Sequence, residues 1–428
     1  MSLTFKIHTY GCKVNTYDSG LLQSRLQKSG FISADEPRVH ILNTCAVTKE
    51  ATREAVKTAR KLKTKDPFAL VVVTGCAAQV DTEEFTHLPG VDLVVANSHK
   101  GQIENLIRSY YNGELRERVY KSNIFKKDDL EAGGGLEQEH TRAFLKIQDG
   151  CNSFCTFCVI PFARGKSRSL TIGELVKRIR TLHDQGTQEV VLTGVHIADY
   201  RDGEQVLEDL VESVLAKTKI PRIRLTSLEP GEVSDRLLDL FREERLCRHF
   251  HMSIQSANSK VLKDMKRAYD ALAVESSLET IARRVPGAFV GMDVISGFPG
   301  ESEEEFADSY ARLDRLPWTR LHVFPYSPRP GTFAARRADA LDRSVIKARA
   351  QRLRELSDAR LATEAARQVG TSKAALTLRN GKLLSSDYWS IDPESPLAGG
   401  LNQFVQVKIT GAAAAGSLLG QVVDAHSL

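Results

Sequence analysis

The sequence lacks a hydrophobic run long enough to cross a membrane. No stretch of about 18 or more apolar residues occurs, and the residues after Met1 lead into a strand-like run instead of a signal peptide. The formal net charge of +5 permits a polyanionic partner without demonstrating one. Cysteines are few, seven in all, and without an export signal they serve metals or redox chemistry instead of disulfides. We therefore expect a cytoplasmic, multidomain enzyme that has no membrane partner.

Three of the cysteines, here called the barrel triad, lie close together. Cys151, Cys155 and Cys158 follow an apolar run that ends at Gly150, and Phe157 stands just before the third cysteine. A structural zinc site closes with four protein ligands, whereas a 4Fe-4S cube held by three thiolates keeps one iron open. The spacing therefore favours a 4Fe-4S cluster. The alternative is a zinc knuckle that lacks its fourth ligand.

Three further cysteines form a second set, the N-terminal triad. Cys12, Cys45 and Cys76 each end a strand-like run and precede a helix-like stretch, which is the pattern of a parallel α/β sheet. Parallel strands bring their C-terminal ends to one edge, so we expect these thiols to converge on a second open cluster. The alternative is that they are ordinary buried cysteines. Cys247 has no partner in the sequence pattern and is expected to be incidental.

The chain is of the α/β class and divides by pattern into four parts. Residues 1–112 predict a parallel α/β domain, 113–140 a charged and glycine-rich linker, 141–370 a partial TIM-like barrel, and 371–428 a small β-barrel. The six strands of the partial barrel are predicted at 143–149, 189–197, 222–228, 249–255, 288–296 and 320–326. Reactive residues of such barrels sit at the C-terminal strand ends, where the cysteine loop follows the first strand.

The cysteine spacing and the order of the parts carry a family resemblance. The barrel triad with Phe157 resembles the motif of the radical S-adenosylmethionine (SAM) enzymes. A three-cysteine α/β domain, such a barrel and a terminal β-barrel together resemble the methylthiotransferases, whose last module is called TRAM. Segments 43–48, 148–152 and 158–165 look most like the MtaB type, which acts on N6-threonylcarbamoyladenosine at tRNA position 37. The resemblance covers essentially the whole chain.

The resemblance implies a reaction and its cofactors. A 4Fe-4S cluster on the barrel triad would cleave SAM to a 5'-deoxyadenosyl radical, which attacks carbon 2 of the adenine. A second 4Fe-4S cluster on the N-terminal triad would carry the sulfur, which a second SAM methylates. No catalytic residue beyond the cluster ligands is implied. Phe157 would pack near the SAM adenine, and the barrel rim would bind SAM through Thr193, Gly194, Ser227, Glu229, Gln255, Arg267, Asp293 and Ile295.

Substrate and partners follow from the same resemblance. The implied partners are the anticodon stem-loop of tRNA, SAM, and an electron donor such as flavodoxin or ferredoxin. The basic run 342–354 predicts a helix that is either a solvated face or an RNA contact. The terminal part is formally neutral, so RNA affinity must come largely from elsewhere. The alternatives are a methylthiotransferase for isopentenyladenosine or for a ribosomal protein aspartate, and a non-catalytic RNA-binding protein with zinc sites.

A threonylcarbamoyl group carries a carboxylate, so its pocket should offer a cation. Arg164 follows the cysteine loop and Arg329 follows the sixth barrel strand, so both are candidates. A purely structural role, in which either arginine pairs with Glu229 or with the SAM carboxylate, is the alternative. A buried cation that an apolar substrate leaves unpaired costs a few kcal/mol, on the order of what strong discrimination requires.

Overall fold

The N-terminal region is a six-stranded parallel sheet. The computed structural model describes residues 3–130, 141–397, 400–413 and 416–424. The strands of the first region pair in the order β2-β1-β3-β4-β5-β6, all parallel. They are β1 Thr4–Thr9, β2 Ile32–Ser33, β3 Val39–Thr44, β4 Leu70–Gly75, β5 Leu93–Ala96 and β6 Val119–Tyr120. The helices are α1 Lys13–Lys28, α2 Lys49–Lys65, α3 Cys76–Val80, α4 Thr82–Thr86 and α5 Ile103–Tyr111.

This sheet follows from its hydrophobic pattern. Every position of β3, β4 and β5 is buried, as expected for parallel strands covered by helices on both faces. Residues 113–130, predicted to begin a linker, contribute the edge strand β6 and a buried side chain, Ile124. The rest of that predicted linker, 131–140, lies outside the described residues.

The central region is the partial barrel that the sequence predicts. Its six parallel strands form two sheets, β7-β10-β11 and β12-β13-β14, joined by bridges from Ile223 to Leu246 and from Leu228 to Met252. The six strands are β7 Ala143–Lys146, β10 Glu189–Thr193, β11 Arg222–Leu225, β12 His249–Gln255, β13 Phe289–Ser296 and β14 Arg320–Pro325. Two short strands, β8 Gln148–Asp149 and β9 Arg168–Ser169, form a separate antiparallel pair. The helices are α6 Ile160–Arg164, α7 Ile172–Asp184, α8 Leu207–Lys217, α9 Asp235–Leu240, α10 Ser259–Asp264, α11 Ala271–Arg284, α12 Glu303–Arg315 and α13 Arg343–Ala366.

Local sequence explains where several of these elements begin and end. Capping boxes start two of the outer helices, Thr171 with Glu174 at α7 and Ser302 with Glu305 at α12. The predicted strands 189–197 and 222–228 stop at Thr193 and Leu225, earlier than the apolar pattern suggested. The residues past those ends form the rim loops of the barrel.

The helix predicted for the basic run 342–354 is confirmed as the start of α13, and several of its arginines bind groups within the protein. Arg349 is buried and donates to the Glu301 carboxylate at 2.9 Å. Arg360 donates to the carbonyl of Leu316 at 2.8 Å. These contacts attach the helix to the barrel, so only part of its positive charge faces solvent.

The C-terminal region is a closed five-stranded barrel in the order β15-β16-β17-β19-β18. Its strands are β15 Ser372–Thr377, β16 Leu383–Ser385, β17 Ser390–Pro393, β18 Phe404–Ala412 and β19 Leu418–Asp424. Sequence analysis found four of the five and missed β17, which is polar except for the buried Ile391 and ends in a proline. None of the described helices is both long and apolar enough to cross a membrane.

Candidate functional site

The barrel triad lies in a loop whose conformation is held by backbone hydrogen bonds. The amide of Cys151 donates to the carbonyl of Gly165 at 3.1 Å, and that of Cys158 donates to the carbonyl of Cys155 at 3.0 Å. Burial, followed by repulsion from the Cys155 and Cys151 thiolates, raises the pKa of the Cys158 thiol to about 12. The three sulfurs therefore lie close enough to oppose one another's ionisation, which a bound cationic cluster would reverse.

Two side chains hydrogen-bond to these thiols from outside the loop. Arg267 Nη1 donates to Cys155 Sγ at 3.1 Å, and its Nη2 forms an ion pair with Glu229 at 2.7 Å. Burial disfavours the charged form of His196, but its hydrogen bonds to Cys151 and Glu232 outweigh burial and raise its pKa to about 11. Charged donors around thiolates are the outer shell expected of a metal-sulfur site.

The donor set fits a 4Fe-4S cluster that is bound by three cysteines. The triad offers three soft thiolates, and no fourth cysteine of the described chain accompanies it, since Cys247 is buried beside Arg224 and Arg222. The described chain therefore offers no further cysteine that could complete a four-coordinate zinc site or give a cluster a fourth thiolate. Cys247 serves neither triad.

Seven of the nine predicted SAM residues line two adjoining cavities at the rim. Phe157, Gln255, Asp293 and Ile295 surround a cavity that measures about 730 Å³ with its open mouth included and that also reaches Cys158. Thr193, Gly194 and Ser227 line a larger cavity, which shares Gln255 and Asp293 with the smaller one. The other two predicted residues, Glu229 and Arg267, lie apart from the cavity walls and pair with each other beside Cys155.

Close backbone approach explains the glycine in this set. A Cβ on Gly194 would lie 2.9 Å from the carbonyl oxygen of Gln148, which is tighter than real side chains tolerate. Ser227 and Gln255 have positive φ values of 58° and 62°, an uncommon conformation for residues other than glycine. Strain of this kind clusters at ligand sites.

The N-terminal triad sits at the C-terminal edge of the first sheet, as the topology predicts. Cys12 precedes α1, Cys45 follows β3, and Cys76 begins α3. Burial, then repulsion from Cys76 and Cys12, raises the pKa of the Cys45 thiol to about 12. A Cβ on Gly11 would lie 2.6 Å from Cys45 Sγ, so only glycine allows this packing. The set again offers three thiols, with Cys12 exposed and the other two buried.

A buried ionic network, defined by Asp18, Lys100, Lys146, Asp149 and Arg164, joins the two triad-bearing regions. Arg164 donates to Asp149 at 2.9 Å and to Asp18 at 3.1 Å, and Lys146 donates to Asp18 at 2.5 Å and to Asp149 at 3.0 Å. Lys100 pairs with Asp18 at 3.3 Å.

The network also reaches the N-terminal triad. Arg164 Nη2 donates to Asn15 Oδ1 at 2.6 Å, and the thiol of Cys76 lies 3.9 Å from that same oxygen. Asn15 in turn donates to the carbonyls of Tyr10 and Thr44, both at 2.9 Å. The ionic network therefore holds the sheet edge that carries the N-terminal triad against the barrel.

The larger cavity lies where the three regions meet and encloses about 3050 Å³, counting its open mouth. The N-terminal triad forms part of its wall, and the C-terminal barrel closes another part with Tyr388 and Trp389. That barrel is held by Arg222, which donates to the carbonyls of Leu384 at 2.9 Å and Ala374 at 2.7 Å. The ring of Trp389 also packs edge-on against Phe289, with centroids 5.2 Å apart.

Neither arginine that sequence analysis offered as a substrate cation is free. Arg164 is committed to the ionic network, and the buried Arg329 pairs with Asp81. The structure gives both arginines the structural role that was the alternative, although neither pairs with Glu229, which pairs with Arg267. Asp18 and Asp81 lie 146 and 248 positions away from these arginines, so no local pattern revealed them.

Sequence analysis also missed Lys13 and Tyr388, which line the larger cavity. The one local signal for Lys13 was its place directly after Cys12, at the start of a helix whose first turn carries no acidic residue. Tyr388 had no such signal, because it reaches the cavity only through the docking of the C-terminal barrel.

Comparison with known proteins gives matches along most of the chain. Residues 145–313 match the Radical SAM superfamily, and residues 4–96 match Uncharacterized protein family UPF0004. The threonylcarbamoyladenosine tRNA methylthiotransferase MtaB of Aquifex aeolicus is 37% identical over 393 residues, which are 90% of this chain and 95% of the relative. The tRNA-2-methylthio-N(6)-dimethylallyladenosine synthase of Corynebacterium jeikeium is 31% identical over 398 residues, 89% of this chain and 77% of the relative.

Among solved structures, the fold is similar to that of a radical SAM methyltransferase. This is TsrM from Kitasatospora setae with cobalamin and a [4Fe-4S] cluster bound, at a TM-score of 0.59 and 16% identity, covering 77% of each chain. At that identity the likeness concerns the fold alone.

Proposed function

The chain belongs to the radical SAM methylthiotransferases of the MtaB type, and from that premise we propose that it methylthiolates carbon 2 of N6-threonylcarbamoyladenosine at position 37 of tRNA. The observation that carries the proposal is that the N-terminal triad and Cys158 of the barrel triad line two adjoining cavities that share wall residues. Hydrogen abstraction and sulfur donation must meet at one carbon atom, so two metal-sulfur sites need a shared space. The higher identity to relatives of the MtaB name supports this substrate over the dimethylallylated one.

The barrel triad is the proposed binding site of the 4Fe-4S cluster that defines radical SAM enzymes. Such a cluster, when bound, supplies the electron that cleaves SAM to a 5'-deoxyadenosyl radical. Arg267 and His196 hold the thiolates of Cys155 and Cys151 by hydrogen bonds. Phe157 and Ile295 offer apolar surface for the adenine, while Gln255 and Asp293 offer polar atoms for the rest of SAM.

A second 4Fe-4S cluster is proposed on the N-terminal triad. The two buried thiols at this sheet edge, Cys45 and Cys76, have raised pKa values, which suits a group that neutralises them together with Cys12, and the lack of a fourth sulfur leaves one position open. The field of Arg164 favours the thiolate of Cys76 against its burial. This triad would hold the sulfur that is transferred.

Domain roles follow the same division. We assign residues 1–112 to the sulfur-carrying domain, 141–370 to the radical domain and 371–428 to a TRAM domain that contacts the anticodon stem-loop. Two lysines of the C-terminal barrel are paired internally, Lys373 with Asp387 and Lys382 with Asp392 at 2.8 Å, so electrostatic attraction to RNA comes largely from the other regions. The reductant is proposed to be a small one-electron carrier such as flavodoxin or ferredoxin.

Iron content tests the two-cluster assignment. Anaerobic reconstitution should give roughly eight irons per chain. Replacing the three cysteines of the barrel triad by Ala should leave about half of the iron and abolish SAM cleavage. The same change to the N-terminal triad should leave SAM cleavage in place and abolish methylthiolation. Full iron in both triple variants, or stoichiometric zinc, would contradict the assignment.

A side-by-side assay tests the substrate. Purified enzyme is given tRNA that carries either threonylcarbamoyl- or isopentenyladenosine, and the nucleosides are analysed by mass spectrometry. Product should form on the threonylcarbamoylated tRNA. Product only from the isopentenylated tRNA, or only from a ribosomal protein, would refute the proposed substrate.

A further inference from the structure

The charged residues around the larger cavity are unbalanced. Two carboxylates line it, Asp293 and Asp392, against five cations. The cations are Lys13, Arg142, Arg164, Arg320 and Lys382. The cavity is therefore suited to a ligand that brings negative charge.

Three of these cations already have protein partners. Arg142 pairs with Glu189 at 3.3 Å, Lys382 with Asp392, and Arg164 with the carboxylates of the ionic network. Their charge is satisfied without a ligand. A substrate carboxylate would have to compete for them with carboxylates that are held in place.

Lys13 differs, because its ammonium makes no hydrogen bond or ion pair with any residue in the described part of the chain. Its electrostatic neighbours include the Tyr388 hydroxyl, Arg142, Arg224 and Asp293. Asp293 is itself engaged, since it accepts a hydrogen bond from His251 at 3.0 Å. A half-buried ammonium among further cations is unfavourable unless a ligand supplies a counter-charge.

The position of Lys13 fits the chemistry of the proposed substrate. It directly follows Cys12, so it stands beside the triad proposed to carry the sulfur. In adenine, carbon 2 and the carbon that bears N6 flank the same ring nitrogen. A base whose carbon 2 meets the N-terminal triad therefore places its N6 substituent near that triad, within range of a long side chain.

Resting on the proposed function, we infer that Lys13 is the residue that recognises the threonylcarbamoyl carboxylate of the substrate. It is a specificity-determining cation. An isopentenyl group offers it no counter-charge and leaves the ammonium unpaired.

The test compares tRNA with threonylcarbamoyladenosine at position 37 and the same tRNA with unmodified adenosine there. Binding to the reconstituted full-length enzyme is measured at one fixed salt concentration. Lys13→Gln should weaken binding of the modified tRNA about 10- to 100-fold, the usual range for a lost charged hydrogen bond, and leave binding of the unmodified tRNA unchanged. Lys13→Arg should restore most of the preference.

Arg320→Gln is the matched control, because Arg320 lines the same cavity but is exposed. Any effect of that change should be equal for both tRNAs. The inference is overturned if Lys13→Gln weakens binding of both tRNAs equally, which is also the result that misfolding or loss of iron would give. It is likewise overturned if Lys13→Gln leaves the preference for the modified tRNA unchanged. A wild-type enzyme that shows no preference would instead refute the proposed substrate.

Discussion

Arg164→Gln should destabilise the contact between the N-terminal sheet and the barrel by about 3 kcal/mol. Arg164 is 3% exposed and bonds to two carboxylates that are themselves buried, Asp18 at 6% and Asp149 at 4% exposure. Removing one partner of a buried ion pair costs about 3–5 kcal/mol, because the other charge is left without compensation. Lys146 still bonds to both carboxylates in the variant, so the loss should fall at the lower end of that range.

A double-mutant cycle separates the pairing from other effects of the substitution. Arg164→Gln, Asp149→Asn and the double variant are unfolded in urea under anaerobic conditions and followed by circular dichroism. In the double variant both members of the Arg164–Asp149 pair are neutral, so neither leaves the other as an uncompensated charge. The double variant should therefore lose less unfolding free energy than the sum of the two single variants, by about 0.5–3 kcal/mol. Arg236→Gln, which breaks an exposed pair with Asp209 and Glu212, is the surface control and should leave the midpoint almost unchanged. Additive losses would refute the reasoning.

Three further outcomes follow from the same contacts. The pKa values of Asp18 and Asp149 lie well below the usual range because the cations around them outweigh burial, so the stabilisation they provide is fully present above the unfolded pKa of about 4. This stabilisation is lost as the pH falls through the lower pKa values of the folded state. The urea midpoint of the wild type should therefore drop more steeply below pH 4 than that of Asp149→Asn, and parallel plots of midpoint against pH would contradict this. Arg222→Ala removes two hydrogen bonds to the C-terminal barrel, so protease cleavage near residue 370 should rise and tRNA affinity should fall at constant iron content. Resistance to the protease equal to that of the wild type would count against this role of Arg222. Arg267→Gln removes the charged donor to Cys155, so SAM cleavage should slow while most iron is retained; an unchanged rate would show that this hydrogen bond does not tune the site.

The parts of the site that the sequence predicts are those that local pattern encodes. The spacing of Cys151, Cys155 and Cys158 is set by one loop, and the N-terminal triad follows from strands whose parallel pairing brings their ends to one edge. The rim positions came from the same reasoning, although strand ends were placed up to four residues too late at Thr193. Strand β17 was missed because its short polar sequence forms a strand only as part of a closed barrel.

Long-range pairing accounts for what sequence reasoning left open. Arg164 was a candidate substrate cation with a structural role as the alternative, and its partner Asp18 lies 146 positions earlier. Arg329 pairs with Asp81, which lies 248 positions earlier in the sequence. No periodicity or spacing encodes such contacts, because they depend on how whole regions dock. The charge of a candidate binding residue is informative only after its protein partners are known.

Two groups of buried or half-buried cations in the described chain therefore have different roles. Arg164, Arg267 and Arg349 face carboxylates of the protein, and each joins elements that are distant in sequence. Their charges are compensated, so they stabilise the scaffold and are poor at discriminating substrates. Lys13 faces the cavity with no such partner, and an uncompensated charge gains most from a ligand that pairs with it. Selectivity for an anionic base modification thus resides in Lys13, a half-buried cation that pairs with no residue in the described part of the chain.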